Sequence, residues 1–199
     1  MKRLFFLPVS LGIMLTLAGC GSSEDTEDNK VVEDSEETSS QPTTEKGSAV
    51  EKITVDLNNA EGDEVGKVNL EETEAGVRIL LDAANLPKGT HGIHIHETGA
   101  CEKPDFESAG GHFNPTNASH GTQHEKGAHA GDLPNIEVAE DGTIKEELLA
   151  KGVTLKMDQE NTLFDSDGSA LVIHEKADDY KSQPSGDAGD RIACGEIAK

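Results

Sequence analysis

His91-Gly92-Ile93-His94-Ile95-His96 alternates apolar residues with imidazoles, the pattern of a β-strand. Side chains two apart share a face. Ile93 and Ile95 therefore turn toward a core, and His94 and His96 project together from the opposite side. His91 falls on the other face from His94, which suits a hydrogen-bonding residue better than a partner in the same cluster. Further short apolar runs flank this stretch. Before it come Ile53 to Leu57, Val65 to Leu70 and Val77 to Leu81. After it come Ile136 to Val138, Ile144 to Leu149, Ala170 to Ile173 and Arg191 to Ile197. Gly, Asn and Asp fill the gaps. Short runs at regular spacing with turn residues between them predict an all-β sandwich or barrel. No internal repeat and no long amphipathic helix competes with that reading. The stretch from Glu97 to Pro134 lacks strand periodicity and is rich in His; a loop of that length inside a domain is usually functional.

Composition narrows the chemistry. The chain has 199 residues, no Trp, one Tyr and five Phe, so its core rests on Val, Ile, Leu and Ala. The formal net charge of −22 repels phosphate and argues against a nucleic-acid partner. It would also repel any anionic substrate unless the site supplies its own positive field.

The first 19 residues read as an address. Met1-Lys2-Arg3 is cationic, Leu4 to Leu17 is mostly apolar and too short to span a bilayer comfortably, and Leu17-Ala18-Gly19-Cys20 looks like a bacterial lipobox. Cys20 is then the lipid-carrying first residue of a mature chain held at a membrane, outside the cytoplasm. Residues 20–47 are polar and acidic, with eight Asp and Glu between Glu24 and Glu37 facing Lys30. Such a segment buries too little apolar surface to offset its chain entropy and reads as a disordered tether. The folded domain is expected over residues 48–199. Beyond the leader, Cys101 and Cys194 sit in a compartment that permits disulfides.

The loop and the strand after it complete a constellation. By itself, His94-x-His96 is as readily a pair of surface or hydrogen-bonding histidines as half a metal site. Gly111-His112-Phe113-Asn114-Pro115, His120 and His129-Ala130-Gly131-Asp132 follow, and Val172-Ile173-His174-Glu175 adds another His at a strand end. His112, His120, His129 and Asp132 supply three imidazoles and a carboxylate, a donor set that suits zinc. An all-histidine set suits copper. His124 has no part in either and reads as a solvated loop residue.

Five stretches together resemble the copper/zinc superoxide dismutase family. They are His91 to Glu97, Gly111 to Pro115, His129 to Asn135, Ala170 to Glu175 and Gly189 to Gly195, in that order. The resemblance covers essentially all of the expected domain and implies a Greek-key β-barrel or sandwich with long metal-binding loops. It implies copper on His94, His96, His112 and His174, and zinc on His112, His120, His129 and Asp132, with His112 bridging the two. It implies that Arg191 lies beside the copper and docks the superoxide anion. It further implies that Asp178 joins a copper ligand to a zinc ligand through their second ring nitrogens, and that Cys101 and Cys194 form a disulfide. The implied reaction is dismutation: two superoxide anions and two protons give O₂ and hydrogen peroxide. A homodimer is left open.

Some features depart from the family pattern. Asp190 stands where a small uncharged residue is usual, and the segment Asp179 to Asp187 is short where relatives carry a longer charged loop. For Lys181, a steering cation and a plain solvated lysine are both open; for Arg191, the alternative to docking is an ion pair with Asp190. Two further readings of the whole chain compete. One is a non-enzymatic surface copper/zinc-binding lipoprotein, whose sign would be lost ligands. The other is a structural adhesion module, which leaves the aligned ligands unexplained.

Overall fold

A computed structural model of the chain describes residues 52–122 and 124–198. The leader, Cys20, the acidic tether and the first residues of the expected domain lie outside the described residues. Strands form where the alternation predicts them. β1 (Lys52–Asn59), β2 (Glu64–Thr73) and β3 (Gly76–Ala83) make an antiparallel meander. β4 (Gly89–His91), β5 (Ile93–His96), β6 (Ile136–Val138), β7 (Ile144–Ala150), β8 (Ser169–His174) and β9 (Arg191–Ile197) follow. Among the described residues the helical content is one 3-10 turn, Glu107–Ala109.

Seven strands make one curled antiparallel sheet in the order β5-β8-β9-β1-β2-β3-β7, and β4 and β6 pair separately. β9 returns from the far end of the chain to lie beside β1, the Greek-key relation, so the all-β expectation holds. Inward residues of the alternating strands, including Val55, Leu57, Val68, Leu70, Ile79 and Leu81, are buried in a common core with Ile93, Ile95, Leu171 and Ile173.

Two features differ from the sequence expectation. The run from His91 to His96 is two strands rather than one. At Gly92 the backbone changes partners: its N–H donates to the Lys176 carbonyl (2.7 Å), and its carbonyl accepts from the His174 N–H (2.8 Å). β4 then pairs with β6, and β5 with β8. The separation of His91 from His94 is therefore a change of sheet, not alternation along one strand. The second difference is burial. Every residue of β5 and of β8 is buried, on both faces. The outer face is covered by a second apolar cluster in which Phe106 and Ala109 of the long loop pack on Ala170, Val172 and Cys194. The Cys101–Cys194 disulfide, with Cα atoms 5.8 Å apart, pins that loop to β9.

Candidate metal centre

The long loop is held against β5 by backbone pairing. Ile95 N–H donates to the Gly131 carbonyl (2.9 Å), Phe113 N–H to the Ile95 carbonyl (2.8 Å), and Glu97 N–H to the Gly111 carbonyl (2.9 Å). This covers the free edge of β5 and sets a register: His94 stands opposite Asp132, and His96 opposite His112. Gly131 is required here, because a Cβ would lie 2.2 Å from the Ile95 carbonyl oxygen. On the other side, a β-bulge between Ile173 and His174 makes His174 the partner of Arg191. Bulges commonly re-aim a side chain beside a functional site.

Two groups of donor atoms result: His94, His96, His112 and His174, all buried, and His112, His120, His129 and Asp132. Within each group the donor atoms lie within 4.8 Å of one another, and His112 belongs to both.

The second nitrogen of each ring shows which atom is free. His96 Nδ1 meets the Gly110 carbonyl (3.0 Å) and His174 Nδ1 the Gly189 carbonyl (3.4 Å). A carbonyl only accepts, so both Nδ1 atoms carry the proton and both Nε2 atoms present lone pairs. Those Nε2 atoms face each other at 3.4 Å. His94 Nε2 donates to Asp178 Oδ2 (2.9 Å), which leaves its Nδ1 as the lone pair. That Nδ1 and His112 Nε2 are buried with no hydrogen-bond partner. Orphaned buried polar atoms are costly, on the order of 1–3 kcal/mol each. These two orphaned nitrogens and the two facing lone pairs of His96 and His174, within one cluster, fit a bound cation, and the all-imidazole set suits copper.

The second group converges on one oxygen. Asp132 Oδ1 lies 2.8 Å from His112 Nδ1, 3.1 Å from His120 Nδ1 and 3.2 Å from His129 Nδ1. A zinc tetrahedron with bonds of about 2.0 Å has edges of about 3.3 Å. The three contacts approach those edges, and the N₃O set fits zinc. The other oxygen, Asp132 Oδ2, accepts the backbone N–H groups of Gly121 (2.8 Å) and His129 (3.0 Å), which aims the carboxylate.

Electrostatics distinguish the two groups. Burial is the main cause that lowers His94 to about 4, His96 to about 2 and His174 to about 3, so all three are neutral at neutral pH and ready to ligate. Burial works against the charge of Asp132, but hydrogen bonds with His112, His120 and Gly121 outweigh it and hold the carboxyl well below its usual range. Burial also works against a charged His120, while its hydrogen bonds to Asp132 and Asp178 raise it to about 9.

Asp178 links the two groups. It is buried; Oδ2 accepts from His94 Nε2, and Oδ1 accepts from His120 Nε2 (3.0 Å). Its backbone is clamped by Asn135, whose Oδ1 accepts the Asp178 N–H (2.8 Å) and whose Nδ2 donates to the Asp178 carbonyl (2.9 Å). Gly186, at φ +71°, closes over this pair; a Cβ there would lie 1.9 Å from Asp178 Oδ1.

The structure thus brings together every metal-site residue expected from sequence. His91 stands apart, its ring nitrogens on the carbonyls of His174 and Pro87, both at 2.8 Å. His124 is exposed, as is Lys181. Arg191 does not pair with Asp190. Its guanidinium donates to the carbonyls of Phe106 (2.6 Å) and Gly110 (2.7 Å), so it shares the Gly110 carbonyl with His96. Sequence reasoning missed the carbonyls of Gly110 and Gly189 and the clamp made by Asn135. Main-chain acceptors leave no residue-type signal. Asn135 stood inside a recognised motif without an assigned role.

The family model described as "Copper/zinc superoxide dismutase (SODC)" matches residues 64–197. A protein of Aquifex aeolicus named "Superoxide dismutase [Cu-Zn] 1" is 48% identical over 147 residues, covering 73% of this chain and 87% of that protein. The crystal structure of a SOD-like protein from Bacillus subtilis superposes with a TM-score of 0.71 at 45% identity, covering 75% of this chain and 99% of that one. The Cu/Zn superoxide dismutase from Brucella abortus gives a TM-score of 0.61 at 32% identity, covering 74% of this chain and 99% of that one.

Proposed function

This chain belongs to the copper/zinc superoxide dismutase family, an oxidoreductase acting on superoxide with copper and zinc, and from that membership we propose a residue-level assignment of its centre. His94, His96, His112 and His174 would hold the copper. His112, His120, His129 and Asp132 would hold the zinc, with His112 common to both groups. The observation that carries this reading is His112 itself: Nδ1 meets Asp132 Oδ1, while the buried Nε2 has no partner and belongs to the other group.

Copper supplies a one-electron redox couple, and zinc supplies fixed charge without redox chemistry. The chain's residues do the rest. Asp178 accepts the Nε2–H of both His94 and His120, so that Nδ1 is the atom each would present to its metal. Arg191, braced by two carbonyls, docks the anion with a charge that cannot be titrated away. His112 Nε2, buried without a hydrogen-bond partner, is the chain's own atom that would hold one of the two protons the reaction consumes, the other coming from solvent. The balance is two superoxide anions and two protons consumed, and one O₂ and one hydrogen peroxide released.

The test is to load the full chain with copper and zinc, measure both, and assay superoxide removal with and without His112→Ala. Stoichiometric metals with no dismutation in the unmodified chain would overturn the reading in favour of a metal-binding lipoprotein. Asp132→Asn is expected to lose zinc before copper.

Location is part of the proposal. The lipobox ending at Cys20 and a disulfide between Cys101 and Cys194 both support a lipid-anchored protein outside the cytoplasmic membrane. Cys20→Ser should move the protein from the detergent-soluble membrane fraction to the aqueous one; unchanged partition would refute the anchor.

A further inference from the structure

A depression of about 820 Å³ is lined in part by Gly110, Gly189 and Arg191, which border the histidine groups from outside, and by none of the donor side chains themselves. It reaches the site through two main-chain carbonyls and Arg191. The carbonyls of Gly110 and Gly189 receive the Nδ1 protons of His96 and His174, and Arg191 pairs with His174 across the bulge. The charges on its wall are one-sided. Glu61, Asp105, Glu107 and Asp190 line it, all exposed, against the single guanidinium of Arg191. That guanidinium already has donors committed to two carbonyls.

The rim does not restore balance. Glu97 packs behind Gly110, where its Oε1 accepts the Gly111 N–H. Glu175 and Lys176 lie beside Gly189 and offset each other at 3.8 Å. Lys103 packs against Gly62, next to Glu61, and faces a neighbouring groove by the disulfide, while Lys88, beside Pro87, pairs with Glu140 at 2.9 Å. The charge of bound metal ions is partly offset at short range by Asp132 and Asp178.

We propose that the approach to this centre repels its anionic substrate at low ionic strength, with Asp190, Glu107, Asp105 and Glu61 outweighing Arg191, so that salt accelerates rather than slows the reaction. The substrate is that of the dismutase reading, on which this inference rests. Charges of one sign lining a cleft act on an ion well before contact, and dissolved salt removes that action. Between ~0.01 M and ~0.15 M ionic strength the screening length falls from about 30 Å to about 8 Å. The rate constant for superoxide should rise about threefold to tenfold across that range.

The test has two arms. In the first, pulse radiolysis measures the rate constant of the loaded full chain against ionic strength. It is compared with Asp105→Asn/Glu107→Gln/Asp190→Asn, whose metal content is checked. The expected result is a rising curve for the unmodified chain, and for the variant a higher, flat or falling one that converges with it at high salt. A falling or flat curve for the unmodified chain overturns the proposal, as does a variant that follows the same rising curve. The second arm does not depend on activity. The ¹⁵N-labelled full chain, loaded with zinc and diamagnetic copper(I), is exposed in turn to a cationic and an anionic nitroxide. The amides of Gly110, Gly189, Asp190 and Ile192 should broaden more with the cation at low salt, and the difference should shrink with salt and in the variant. Equal broadening, or stronger broadening by the anion, overturns the proposal whatever the dismutase assay shows. A loaded chain that does not dismutate superoxide overturns the functional reading instead, while the nitroxide arm still decides the field.

Discussion

Asp178 is the residue on which both donor groups depend, although it belongs to neither. Its two oxygens each accept one ring N–H, and the charge that makes this possible is secured locally. Burial opposes ionisation, but hydrogen bonds from His120, His94 and the Tyr180 N–H hold the carboxyl well below its usual range. An amide in its place would turn an NH₂ toward one of the two rings. That ring would have to move its proton to Nδ1, the atom needed for a metal. Asp178→Asn should therefore weaken copper or zinc binding about 10- to 100-fold, read by competition with a chelator of known affinity. Unchanged affinity for both metals would show that ring orientation is set by packing alone.

At the scale of elements, the centre is made where the sheet departs from regularity. β5 contributes His94 and His96, and β8 contributes His174 only after the bulge at Ile173/His174. The loop adds the rest by pairing with β5 as an irregular extra strand. What keeps that loop seated is partly apolar, through Phe106 and Ala109, and partly covalent, through Cys101 and Cys194 across a separation of 93 residues. Closing so long a segment removes much freedom from the unfolded chain. Cys101→Ser should cost about 2–5 kcal/mol of stability in urea denaturation, and should expose the loop to proteolysis before the sheet. Equal resistance of loop and sheet in that variant would mean that the apolar contacts suffice.

The whole molecule carries its charge economy into its pH response. In the metal-free protein, His94, His96 and His174 sit at about 4, 2 and 3, below the ~6.5 of an unfolded histidine. Between those values the unfolded chain binds more protons, so stability present above ~6.5 is lost as pH falls. The depressed Asp132 and Asp178 add to this loss below ~3.9, the unfolded carboxyl value. His120, raised to about 9, has the opposite sign: its contribution is complete below ~6.5 and disappears as pH rises through about 9. The chelated protein should have its highest thermal midpoint near pH ~6.5 and lower ones at pH ~4.5 and ~9.5. A midpoint that climbs steadily from ~4.5 to ~9.5 would contradict the role given to His120.

The strands were legible because alternation is a local property. Ile136–Val138 and Arg191–Ile197 fall where the pattern puts them, and Ile93 and Ile95 are buried as their positions require. The donor set was legible for a different reason: His and Asp in an ordered series of motifs carry their chemistry in their identity. Tertiary structure alone decided three things. It split His91 from His94 at Gly92, because a change of hydrogen-bond partner leaves no mark on hydrophobic period. It chose which nitrogen of each histidine is free, because the choice is made by carbonyls at Gly110 and Gly189 and by a distant carboxylate. And it brought Glu61 and the loop residues Asp105 and Glu107 to the Asp190-Arg191 pair, three separate stretches that meet because the loop folds over the sheet.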